Sequence, residues 1–193
     1  MIFNLFRRNP QDDRIAALYG AIVAQAREPA FYRQFGVPDT ANGRLEMIVL
    51  HTILVLFRLE ADGASGRPVG QALFDHFCSD MDANLREMAV GDLAVPRKMK
   101  AIAEAFYGRK RAYAAAMAAD SDEPLATALV RNIYGEDASD RAAAEGFARY
   151  VREAGRRLAA LDESALLTGQ VEFPDPLAFA ASDRAGAVPV GAP

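Results

Sequence analysis

The chain has 193 residues, 51% of them apolar and 25% charged, with a net charge of −4. That is enough chain to bury a core without covalent staples, and the composition is that of a globular protein rather than a disordered one. One cysteine (Cys78) and two histidines (His51, His76) exclude an internal disulfide and a Cys/His zinc site, and the mild acidity argues against bulk binding to DNA.

Residues 1–11 carry Ile2, Phe3, Leu5 and Phe6 ahead of Arg7 and Arg8. Arginines that follow a short apolar stretch do not make a secretory signal. They fit an interfacial anchor, a short helix docked on the body, or a disordered start. Asp12 and Asp13 then open a helix whose apolar positions, Ile15, Leu18, Tyr19, Ile22 and Val23, repeat at helical spacing. It should stop before Pro29, and Phe31, Tyr32 and Phe35 should plug the core. Residues 36–43 read as a loop and residues 44–60 as a helix. Its run from Leu45 to Leu59 is the most apolar of the chain, interrupted by Glu46, His51 and Arg58. The run falls short of the roughly twenty residues a membrane span needs, so it is expected to be a buried central helix.

Residues 61–68 read as a flexible turn, with Gly63 and Gly66 as turn residues. In the helix expected over 69–88, Leu73, Phe74, Phe77, Met81, Leu85 and Met88 share the inward side. Gly91 suits a helix end, and Pro96 suits the first turn of a helix over 96–118. Met99, Ile102, Phe106, Tyr113 and Met117 form its apolar stripe. Ser121 or Asp122 should cap a short helix that ends at Gly135. Ser139 or Asp140 should cap a last long helix, with Phe147, Tyr150, Val151, Leu158 and Leu161 inward. No segment alternates as a strand would. The expected fold is all-α: a compact single-domain bundle of about six helices around residues 45–59. The helical domain spans 12–170, and a Pro/Gly/Ala-rich tail occupies 171–193, too poor in apolar surface to order itself beyond about Ala180.

Chemistry is sparse. His51, inside the apolar helix, reads as a core histidine bonded to a neighbour rather than a haem or metal ligand. His76 and Cys78 read as a solvated histidine and a packed thiol. Asp75, Asp80, Asp82, Glu87 and Asp92 lack the spacing of a calcium loop and read as a solvated acidic face, or as a contact for a basic partner. No nucleophile, phosphate or dinucleotide motif is present, so no catalytic, metal or cofactor residue is assigned. The one asymmetric feature is basic. Between Pro96 and Ala118, Arg97, Lys98, Lys100, Arg109, Lys110 and Arg111 face a single acid, Glu104. Arg97, Lys100 and Arg111 fall opposite the apolar stripe, which predicts an exposed cationic ridge. Anionic lipid, RNA phosphates or an acidic protein segment would fit it.

The stretches LHTILVLFRL (50–59), LFDHFCSDMDANLREMAVGDLAVP (73–96) and AFYGRKRAY (105–113) resemble the ubiquinol–cytochrome c chaperone family, over about residues 31–150. The resemblance implies an assembly factor for the cytochrome bc1 complex, not an enzyme, which binds newly made apo-cytochrome b at the membrane. In the family's mitochondrial members it implies action with a second assembly factor, near the ribosome and the membrane. Without a long presequence, a bacterial-type member at the cytoplasmic face of the inner membrane is expected. Arg97, Lys98, Lys100, Arg109, Lys110 and Arg111, with Asp80, Asp82, Arg7 and Arg8, are the expected partner or membrane contacts. The competing expectation is a helical module that binds a membrane surface, RNA or the ribosome without chaperone activity.

Overall fold

The structure is a computed structural model that describes residues 10–88, 91–135 and 141–180. The helices are α1 (Pro10–Ala26), α2 (Pro29–Arg33), α3 (Ala41–Ala61), α4 (Gly66–Glu87), α5 (Val95–Met117), α6 (Glu123–Leu129), α7 (Arg141–Ala160) and α8 (Glu163–Leu167). A π turn, Val130–Tyr134, extends α6, and a 3-10 turn, Pro176–Phe179, follows α8. Among the described residues there is no strand. The bundle is all-α.

α3 lies at the centre because it is apolar on nearly every side. Met47 to Leu56 are all buried, and α1, α4, α5 and α7 pack around it. The sequence places its start too late. Thr40 caps it by accepting from the Gly43 backbone N–H at 3.1 Å, so α3 takes in Ala41, Asn42 and Gly43 from the expected loop. α2 carries Phe31 into the core, where its ring meets Phe35, Phe147 and Tyr150.

The turn between α3 and α4 is shorter than expected. Gly63, at φ 64, turns the chain, but Gly66 is already the first residue of α4. A Cβ there would lie 1.9 Å from the Leu59 carbonyl oxygen, so only glycine permits this approach of α4 to α3. α5 then runs back along α4, with the Phe106 ring 5.0 Å from Phe74 and 5.2 Å from Phe77. Met88, expected inward, is 67% exposed because α4 ends at Glu87 and the chain leaves the core there.

Two links were not visible in the sequence. Asp122 stands at the cap position of α6, but its side chain accepts from Arg152 of α7 at 2.6 Å instead of closing its own helix. Arg152 also donates to the carbonyls of Met117 and Ala119, closing the C-terminal end of α5 from another helix. Arg58 does the same for Leu161, donating to its carbonyl at 2.9 and 2.6 Å while pairing with Asp62. Residues 171–180, assigned to the tail on composition, lie on the body: Phe173 packs against His51, and Phe179 against Tyr150. Arg7, Arg8, Ser139 and Asp140 lie outside the described residues.

Candidate functional site

The basic residues of α5 separate into two groups. Arg109 points inward and makes a two-pronged pair with Glu46 of α3, both N–H···O distances being 2.5 Å. Glu46 is almost fully buried. Burial raises its carboxyl pKa, and the Arg109 hydrogen bonds and charge pull it back. Lys110 pairs with Glu60, also of α3. Arg97, Lys98 and Arg111 are exposed, and none of them has an ion-pair partner among the described residues. Lys100 has only a loose exposed pair with Glu104 at 3.8 Å. The exposed ridge therefore consists of Arg97, Lys98, Lys100 and Arg111, while Arg109 and Lys110 tie α5 to α3.

Four of the five acidic residues are occupied locally. Asp80 accepts from the Tyr19 hydroxyl at 2.8 Å, and Asp75 accepts from Gln71. Asp82 and Asp92 both accept from Arg86, at 2.7 and 2.8 Å. No group of three potential metal ligands occurs among the described residues. His76, expected on the exterior, lies half-buried with its ring edge-on to Tyr19, 5.0 Å away. Cys78 is part-buried, and burial raises its thiol pKa. That disfavours the reactive thiolate.

His51 is wholly buried, and its hydrogen bonds fix its state. The Met47 carbonyl only accepts, so Nδ1 carries the proton and donates to it at 2.8 Å. Nε2 therefore accepts from the Tyr150 hydroxyl at 2.8 Å, and that hydroxyl accepts from Gln25 Nε2 at 3.0 Å. The chain Gln25–Tyr150–His51–Met47 joins α1, α7 and α3 through a neutral imidazole. Burial pushes the histidine's pKa down to about 4. It leaves no free nitrogen for a metal or haem iron.

What remains is one open face of the body. Between α3, the start of α4 and the middle of α5 lies an open groove of about 460 Å³, with Leu56, Phe74, Phe106 and Tyr107 as its apolar lining. It continues into a hollow of about 620 Å³ where Phe57, Tyr107 and Ala114 are bordered by the charged Glu60, Glu104, Lys110 and Arg111. The Glu60–Lys110 pair stands where the two meet, and Tyr107 is 51% exposed. A trough of this size and apolarity suits successive side chains of a helix better than a small polar substrate. The sequence hinted at it only through Phe74 and AFYGRKRAY; Phe106 is core, whereas Tyr107 next to it faces out.

The sequence pattern described as ubiquinol-cytochrome C chaperone matches residues 33–173 and so includes the whole of this face. The chain is similar to ubiquinol-cytochrome-c reductase complex assembly factor 1 of Xenopus laevis: 29% identical over 161 residues, 82% of this chain and 80% of that protein. It is 28% identical to the Homo sapiens protein of that name over 163 residues, 83% of this chain but 54% of the human one, so it spans about half of that relative's length. The crystal structure of the Cbp3 homolog from Brucella abortus matches with a TM-score of 0.79 at 39% identity, covering 91% of this chain and 98% of that one.

Proposed function

We propose that this chain, which belongs to the ubiquinol-cytochrome C chaperone family, holds newly made cytochrome b during assembly of the ubiquinol–cytochrome c reductase complex. The observation that carries the reading is the apolar trough between α3, α4 and α5, in a family whose members are assembly factors. Cytochrome b is a membrane subunit, so before assembly its helices present apolar side chains in need of cover. A groove lined by Leu56, Phe74, Phe106 and Tyr107 would take one such helix by its apolar stripe. The open rim lets the client leave, as a chaperone requires.

The body that carries the groove is rigid where it needs to be. The Glu46–Arg109 pair and Arg152 hold α5 in place against α3 and α7, so the trough is formed before a client arrives. No helix among the described residues is long and apolar enough to cross a membrane. The proposed place of work is the membrane surface, where the client emerges.

The test is Tyr107→Asp combined with Ala114→Asp, both at exposed positions, the Tyr107 ring resting on Phe74 and Phe106 from outside. In cells lacking the native gene, the double variant should fold, fail to co-purify with apo-cytochrome b and fail to restore the complex. Full restoration by that variant would remove the groove from the mechanism.

A further inference from the structure

We propose that the facing ends of α4 and α5 are a membrane-docking tip, at which Met88 and Leu93 insert into an anionic bilayer and Arg97, Lys98 and Lys100 sit on its headgroups. This rests on the membrane-surface part of the function proposed above, but not on the groove or its client. Leu93 is 98% exposed and Met88 67%, two of the large apolar side chains that stand in solvent among the described residues. Both flank the junction of two antiparallel helices, so they project from the end of the hairpin while Val95 turns inward.

The neighbouring charge selects the occupant. Arg97 and Lys98 in the first turn of α5, and Lys100 after them, are exposed, and Lys100 has only its loose pair with Glu104. At about 1.5 Å per residue they lie within about 10 Å of the helix start, the depth over which an interfacial element meets headgroups. The acids nearby are Asp82 and Asp92, both paired with Arg86, Glu104, loosely paired with Lys100, and Glu87. Arg97 and Lys98 therefore remain without an ion-pair partner among the described residues, beside Glu87. Apolar tips beneath a cationic collar match a surface that is anionic outside and hydrocarbon inside. An acidic protein segment would satisfy the collar and leave Leu93 in water. The tip lies about 20 Å along α4 from Phe74 and the groove, so one end of the hairpin can rest on lipid while the other holds a client.

The chain has no tryptophan, so a single introduced indole reports its own surroundings. Leu93→Trp and Tyr107→Trp are prepared in the full chain and titrated with vesicles of phosphatidylcholine, with and without 30% phosphatidylglycerol. Emission of Leu93→Trp should shift to the blue on the anionic vesicles only, with binding that weakens as salt rises, while Tyr107→Trp does not shift. Replacing Arg97, Lys98 and Lys100 by Gln should weaken vesicle binding by roughly 100-fold. No shift for Leu93→Trp on anionic vesicles, or equal binding after the three replacements, would overturn the tip. Because no client is present, either result leaves the cytochrome b reading to its own test.

Discussion

The two ends of α5 carry the same residue types and do different work. At its start, Arg97, Lys98 and Lys100 stand in solvent beside Leu93. Ten residues on, Arg109 and Lys110 are bound to Glu46 and Glu60 of α3. The difference comes from the partner helix: α3 offers Glu46 near its start and Glu60 near its end to Arg109 and Lys110, and neither acid pairs with the first turn of α5. A run of positive charge is therefore not one surface. Part of it is a structural clamp, and only the remainder is available to another molecule.

Breaking the clamp should have the largest effect. Arg109→Ala leaves the buried Glu46 unpaired and should cost about 3–5 kcal/mol of unfolding free energy in urea melts, whereas Glu46→Ala leaves a partly exposed Arg109 and should cost less. Replacing both by Met should recover most of that loss, because an apolar pair of similar volume needs no solvation. If the single variants melt with the wild type, the division of α5 into clamp and free surface is wrong.

Next in size is the pH dependence contributed by His51. Its pKa falls from the ordinary 6.5 to about 4 on folding, so between those values the unfolded chain binds the proton and the folded one does not. Stability from this group is complete above pH 6.5 and is lost as pH falls to about 4, on the order of 3 kcal/mol in all. Melts of His51→Gln should have a shallower slope than the wild type across that window. Parallel slopes would mean that His51 is not held neutral.

The smallest expected effect is at the free end. Gln at Arg97, Lys98 and Lys100 should change stability by less than about 0.5 kcal/mol, since none of the three holds a buried partner. Thermal melts within a degree or two of wild type would sharpen the contrast with Arg109. A large loss would make the ridge structural.

Much of the fold was legible. The apolar run 45–59 announced a central helix, and the stripes of α4 and α5 announced the faces that pack on it. Where the reading failed, the deciding atoms were distant in sequence. Glu46 was visible as an acid inside a buried run, and such an acid requires a cation, but nothing local says that Arg109 is the one. Gly66 looked like a turn residue because its constraint, the Leu59 carbonyl, lies across a helix contact. Met88 fits the apolar stripe of α4 by angle, yet the helix outruns its core there. Tyr107 was legible only as part of a family-like string; its exposure depends on how α5 is rotated against α3, which the Glu46 and Glu60 pairs fix.

The most direct test of a hairpin with a client end and a lipid end is amide hydrogen exchange on the full chain. It would be followed alone, with apo-cytochrome b in detergent, and with anionic vesicles. Cytochrome b should slow exchange in 66–74 and 104–111 and leave 91–100 unchanged; vesicles should do the reverse. Protection by cytochrome b confined to 91–100, with none along the groove, would contradict the account.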